Sequence, residues 1–401
     1  MTLFEPGQRT AVPPIAPEDV RGAVVAQPGL SPRPPRSYTL LIVGSIGIFC
    51  VAIILLLVLV YLIAGLGVNA FLFAGILALV PLAIVLLGVR WIDRWDPEPR
   101  GALVFAFLWG AGVAVMVALL VSAEVDNVVN SLGGPGPGYE FFGAAIQAPI
   151  VEEVGKGIGV LVIFLVARKH FDGPVDGIVY AAMVAGGFAF SENILYFGQA
   201  LIESGGSVAT VIQTFLVRGL MSPFAHVMFT ACTGVLLGVA AHRRGKFGWI
   251  GLFILGLVPA IGLHALWNGS LFFVQNFYGY YAVVQFPLFV LGIVLIVYLR
   301  RQEARVTRTN LQAYAAAGWF HTDEVGALAT GSGRRTALTW ARQHGIAPVM
   351  KRYIRDAARL AFARQRLLTG TDAGRAGAEE ARLLSAIVST RTELQGGPRP
   401  V

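Results

Sequence analysis

From Tyr38 to Leu66 the chain carries no charged side chain, and comparable apolar stretches recur up to Arg300. A run of that length exceeds the roughly 20 residues that cross a hydrocarbon core. In lipid the backbone must satisfy its own hydrogen bonds, so such runs fold as helices. Composition agrees: 56% of the 401 residues are hydrophobic and 13% charged, with a mean hydropathy of +0.68. That is too little charge to clothe a soluble surface, which excludes a soluble enzyme, a disordered regulator and a coiled coil. The 48 glycines suit helices that approach closely in lipid. The expected fold is all-α, a polytopic membrane bundle of about eight transmembrane helices.

The spans are expected near 38–66, 69–89, 101–123, 141–168, 175–200, 209–241, 249–272 and 281–300. Charge tests this division. Arg33, Arg36, Arg90, Arg94, Arg100, Arg168, Lys169, Arg243, Arg244, Lys246, Arg300 and Arg301 all fall at one set of ends. The opposite connections, 124–140, 201–208 and 273–280, hold only Glu124, Asp126, Glu140 and Glu203. By the positive-inside rule the basic face is cytoplasmic, which places a multi-pass protein in the cell membrane with both termini inside. The net charge of +8 then reports topology rather than nucleic-acid binding. Cys50 and Cys232 sit in apolar runs and read as packing residues.

Three regions follow. Residues 1–37 are Pro-rich, read as a disordered cytoplasmic tail and lack the features of a signal peptide. Residues 38–300 form the membrane domain. Residues 301–401 are rich in Ala, Arg and Leu, and read as a basic, helical, cytosolic tail, with amphipathic stretches at Arg334–His344 and Lys351–Leu368 and helix ends at Gly331, Gly345 and Gly370. Its Arg-rich faces could lie on an anionic membrane surface.

An ionisable residue inside a span is costly and defaults to a functional role with a partner. Four consecutive spans carry them: Glu152, Glu153 and Lys156; then Glu192 with Asn193; then Arg218 and His226; then His264 with Asn268. Spans one, two, three and eight show no comparable cluster. Glu152 lies 16 residues before Arg168, Glu192 lies 16 after Asp176, His226 lies 17 before Arg243, and His264 lies 15 after Trp249. At helical rise each is roughly 22–26 Å from the basic boundary, so the side chains can converge in one layer. Lys156 follows Glu153 by three residues and Glu152 by four, within reach of both; His264 and Asn268 share a face. Carboxylates beside imidazoles can activate a water, directly or through a metal.

In these residues the sequence resembles the PrsW family of intramembrane proteases, within the wider group of CaaX prenyl and bacteriocin-processing proteases. Glu152-Glu153-Val154-Gly155-Lys156 matches an E-E-x-x-K motif. The run Asp172–Tyr180, then Phe188–Tyr196 with Glu192-Asn193, resembles the next motif; Ser222–His226 followed by Thr230, and His264–Asn268, resemble the two His motifs. The likeness spans roughly 140–270, and the tail resembles extensions on actinobacterial members. It implies cleavage of a membrane-embedded substrate, as when an anti-sigma factor is cut at the first site of regulated proteolysis. The family's functional positions carry over to Glu152, Glu153, Glu192, His226 and His264, with Lys156, Asn193, Arg218 and Asn268 in support. Ser191 stands before Glu192, so no second carboxylate supports that position.

Two mechanisms stay open. Without metal, Glu152 or Glu153 acts as base, His226 as acid or partner, and Asn268 or His264 stabilises the oxyanion. With zinc, the expected ligands are His226, His264 and Glu192. The absence of an H-E-x-x-H helix and the charge on Lys156 favour the metal-free form, with no cofactor. The alternative function is a proton- or ion-coupled transporter using the same Glu/His cluster. Against it stand the missing internal repeat and the single polar layer.

Overall fold

The computed structural model describes residues 38–95, 97–167, 171, 173–241, 248–370 and 373–396, and regular structure among them is helical throughout. The Pro-rich tail 1–37 and the charge markers Arg33, Arg36, Arg168, Lys169, Arg243, Arg244 and Lys246 lie outside the described residues.

α1 (Tyr38–Leu66) and α2 (Val68–Ile92) are joined by Gly67 alone, at a φ of 75° that residues with a β-carbon avoid. α3 (Arg100–Ser131) contains a π-helical stretch, Trp109–Ala114, and α4 is Ala148–Val166. α5 (Pro174–Glu203) is the central helix, packed against α2, α3 and the helix α7 (Ala225–Ala241). Between them, α6 (Val208–Thr214) runs into a π-helical stretch, Phe215–Met221. α8 is Gly248–Ser270. A short turn, Phe277–Tyr280, and a π-helical stretch, Tyr281–Gln285, lead into α9 (Phe286–Ala316).

Seven helices among the described residues are long and apolar enough to cross a membrane. The expected fourth span is not among them. Its regular α-helical part, α4, has only 19 residues and carries Glu152, Glu153 and Lys156. All three are buried, so the polarity that removes α4 from an apolarity count is turned inward, away from lipid. The protein is thus an all-helical, multi-pass membrane protein.

Small residues set the centre. A β-carbon on Gly177 of α5 would lie 1.9 Å from the Gly234 carbonyl oxygen of α7, so this crossing brings backbone against backbone. Trp109, on the π-helical stretch of α3, donates its indole N–H to the Gly155 carbonyl of α4 at 3.0 Å. Ser191 of α5 donates to the Ala111 carbonyl of the same stretch at 2.8 Å. Lipid-facing positions are apolar instead: Ile46, Phe49, Leu56 and Val60 of α1 are exposed. Cys50 is exposed too, so it does not pack as the sequence suggested, and neither cysteine is bridged.

Residues from Val297 onward form a second unit. It comprises the end of α9, α10 (Thr322–Leu328), α11 (Gly331–Gln343), α12 (Ala347–Thr369) and α13 (Ala373–Leu394). Its core is Leu311, Tyr314, Trp319, Phe320, Tyr353, Leu360, Leu384 and their neighbours. Thr330 caps α11 by accepting from Gly333 N–H at 3.0 Å, and Gly370 ends α12 at a φ of 67°. Gly331 opens α11 rather than ending a helix, because Thr330 supplies the cap in front of it.

Candidate active site

Four elements of the membrane body converge: α4 brings Glu152, Glu153 and Lys156; α5 brings Glu192 and Asn193; α7 brings His226 and Thr230; α8 brings His264. Arg218 arrives from the π-helical stretch before α7.

Lys156 is wholly buried, and its ammonium lies 3.1 Å from Glu152 Oε2, 2.9 Å from Glu153 Oε1 and 3.0 Å from His226 Nδ1. The Phe188 ring lies 3.9 Å beneath it. The spacing of three and four residues therefore serves both carboxylates at once. Glu153 is locked: beyond Lys156, its Oε2 accepts from the Thr230 hydroxyl at 2.8 Å and its Oε1 lies 3.1 Å from His264 Nδ1. A carboxylate only accepts, so His264 donates from Nδ1, and Nε2 is the ring nitrogen left without this bond. That Nε2 lies 3.9 Å from Glu152 Oε2.

His226 is held in the mirror sense. Its Nε2 donates to Glu192 Oε2 at 2.9 Å, leaving Nδ1 to accept from Lys156. Arg218 Nη2 reaches the same Glu192 oxygen at 2.6 Å, donates through Nε to Asn193 at 3.4 Å, and stacks over Tyr196 at 3.8 Å. The two imidazoles meet edge to face with centroids 5.3 Å apart, and Phe229 stacks on His264 at 4.9 Å with Trp267 behind it. Asn268 turns away from this centre. Its amide donates to the Ala144 carbonyl at 3.0 Å, fixing the π-helical stretch Gly143–Gln147 against α8.

Three carboxylates thus face two fixed cations, Lys156 and Arg218. Glu153 and Glu192 are consumed in orienting His264 and His226. Among the described residues Glu152 is the carboxylate left with the lightest hydrogen bonding, one bond to Lys156, and its side chain retains 10% exposure.

Glu152, His226 and His264 can each offer one ligand atom, all within 4.8 Å of one another. Two imidazoles and a carboxylate, each imidazole backed by a second carboxylate, suit zinc. This donor group shares its two imidazoles with the set expected from the sequence and has Glu152 where Glu192 was expected. Arg218 and His226 draw Glu192 behind the imidazole, and Glu152 stands in front. Lys156 shares two of these donors and would have to give them up.

Thr230 entered the sequence reading as a motif companion without a role; its hydroxyl on Glu153 supplies one. Trp267 entered only inside the second His motif, without a role, and Phe229 was missed, because an aromatic in an apolar span has no signal separating site from packing.

The PrsW family profile, described as an intramembrane metalloprotease, matches residues 98–296. That stretch contains every residue of the cluster. The chain is 32% identical over 201 residues to "Protease PrsW" of Clostridioides difficile (strain 630), covering 48% of this chain and 76% of that protein. It is 30% identical over 211 residues to "Protease PrsW" of Bacillus subtilis (strain 168), covering 52% and 87%. For the protein of that name from Geobacillus kaustophilus (strain HTA426) the identity is 29% over 195 residues. No solved structure matches the chain. The profile spans the whole cluster, two relatives at 30% identity or more are matched over most of their length, and the chain belongs to the PrsW family of intramembrane proteases.

Proposed function

We propose that this protease hydrolyses a peptide bond within a membrane-embedded substrate, a single-span anti-sigma factor being the class implied by its family, with Glu152 as the base that activates water. The observation that carries the assignment is the unequal bonding of the paired carboxylates: Glu153 is held by Lys156, Thr230 and His264, whereas among the described residues Glu152 is bonded to Lys156 alone. A base must be free to take a proton; an orienting group must not move.

Glu152 removes the proton from a water that sits beside His264 Nε2. His264, held by Glu153, steadies that water. His226, held by Glu192 and Arg218, passes a proton to the leaving amine. Lys156 bridges the two carboxylates and offers positive charge to the developing oxyanion. Membership of a protease family removes the transporter alternative.

A second reading has its own support in the donor cluster. Glu152, His226 and His264 would hold a zinc ion, which when bound supplies Lewis-acid polarisation and an acidified water. The remaining residues keep their orienting roles: Glu153 toward His264, Glu192 toward His226.

The protein is further proposed to lie in the cell membrane with both termini cytoplasmic, as the one-sided basic residues imply. The division at about residue 300 fits a catalytic membrane domain followed by an accessory tail, resembling actinobacterial extensions.

The test is cleavage of a candidate single-span substrate by purified protein in liposomes, the cut located by mass spectrometry. A cut within the span, retained after chelation and metal removal, supports the metal-free reading. Loss on chelation with recovery on zinc transfers the assignment to the metal reading. No cut in any single-span candidate overturns the proposed substrate class.

A further inference from the structure

Between Phe277 and Tyr298 the side that faces lipid is apolar, as expected, with Tyr278, Val283, Phe286, Val290 and Leu291 exposed. The residue this segment buries is Gln285, only 1% exposed. Neither its amide oxygen nor its amide nitrogen has a hydrogen-bond partner among the described residues. The Tyr280 hydroxyl, one π-helical turn earlier, is also buried and unpartnered there. An unsatisfied amide in a membrane interior is costly, so its presence needs a partner that arrives from elsewhere.

Its position indicates which. Gln285 lies 15 residues before Arg300, as His264 lies 15 after Trp249. At helical rise this is about 22 Å from the basic boundary, the depth of the Glu/His layer. Tyr281 and Phe289, four residues to either side, mark the face it shares. The Tyr281 hydroxyl donates to the Met221 carbonyl at 2.7 Å, and Phe289 packs on Trp267 with centroids 5.3 Å apart. Met221 ends the π-helical stretch that carries Arg218, and Trp267 belongs to the aromatic shell of His264. The orphaned amide therefore stands at the edge of the catalytic layer.

A substrate helix must open before its peptide bond can be attacked, and opening frees N–H and C=O groups that lipid cannot satisfy. A glutamine amide presents one donor and one acceptor side by side, which matches a freed peptide group. We propose that Gln285, with the Tyr280 hydroxyl, is the subsite that holds the substrate main chain where it leaves its helix. This rests on the protease reading, and it assigns a binding role to a residue outside the catalytic cluster.

The test uses full-length protein carrying Glu152→Gln, so that nothing is cut, and two fluorescent single-span peptides. One has a Gly-Pro break at mid-membrane; the other is an unbroken Leu-rich helix. Two hydrogen bonds of ordinary net strength correspond to about tenfold in affinity. Adding Gln285→Met is expected to weaken the broken peptide by about that factor, leave the unbroken one unchanged, and leave the melting temperature equal or higher. Gln285→Asn, which keeps an amide on a shorter stem, is expected to fall between. Unchanged affinity, a lowered melting temperature in Gln285→Met, or no preference for the broken helix in the parent protein would each overturn the subsite. Failure of the protease reading would appear separately, as wild-type protein that cuts neither peptide while the binding difference persists.

Discussion

Lys156 is the residue on which most of the site depends. A buried ammonium is tolerable only because two carboxylates and an imidazole surround it within 3.1 Å. Lys156→Met removes that cation and leaves the Glu pair facing each other in a low dielectric. The expected loss is about 3–5 kcal/mol, the usual cost of breaking a buried pair from one side. Thermal melting of detergent-solubilised protein measures it, and an unchanged midpoint would show that the carboxylates do not need the charge. Glu192→Gln acts at a distance from the reacting bond. It weakens the Arg218 link and the hold on His226, so activity is expected to fall by about 10²-fold, in keeping with the loss of an orienting partner. Steady-state cleavage reads this as a fall in kcat with little change in KM. A change confined to KM would mean that Glu192 contacts substrate.

At the scale of elements, close backbone contact governs the fold. Gly234→Ala would place a β-carbon 2.2 Å from the Gly177 carbonyl oxygen at the α5–α7 crossing. Backbone cannot step aside as a side chain can, so a loss of about 3 kcal/mol or more is expected, with poor recovery of folded protein. Normal yield and melting would show that the helices can separate there. The existence and order of the helices were legible in the apolar runs, and matched spacing from the basic ends pointed to Glu152, Glu192, His226 and His264 as side chains that could meet, as they do. What periodicity could not give is which atoms meet. That Glu192 falls behind His226, with Glu152 in front, depends on Arg218 reaching it from a π-helical turn. Such a turn shifts side-chain direction without a marked signature in the sequence. Gln285 was equally hidden: one amide in an apolar run looks unremarkable until its burial and missing partners are known.

For the whole molecule, the family match ends at Ile296, close to where the membrane body gives way to the second unit at Val297. The match begins at Glu98, whose carboxylate accepts from the Tyr180 hydroxyl at 2.5 Å and whose backbone N–H donates to Asp93 at 3.0 Å. Burial raises the Asp93 carboxyl from 3.8 to about 6, the Glu98 N–H opposing the shift only in part. The folded state therefore holds that proton more tightly than the unfolded chain. The stability it contributes is full below about pH 4 and lost as pH rises through about 6. Asp93→Asn keeps an acceptor for Glu98 and removes the charge. It is expected to raise the melting temperature at about pH 8 and change it little at about pH 4. Equal effects at both values would contradict the burial of that carboxyl.

The central claim is that water is activated by Glu152 within a cluster whose other acids are structural. Single-turnover cleavage of a membrane-span substrate by wild type and Glu152→Gln, both checked for equal melting, measures it directly. A loss of about 10³-fold or more in the chemical step is expected from removing the base, with substrate still bound. Cleavage by Glu152→Gln within a factor of about 10 of wild type would contradict the account and move the chemistry to another residue.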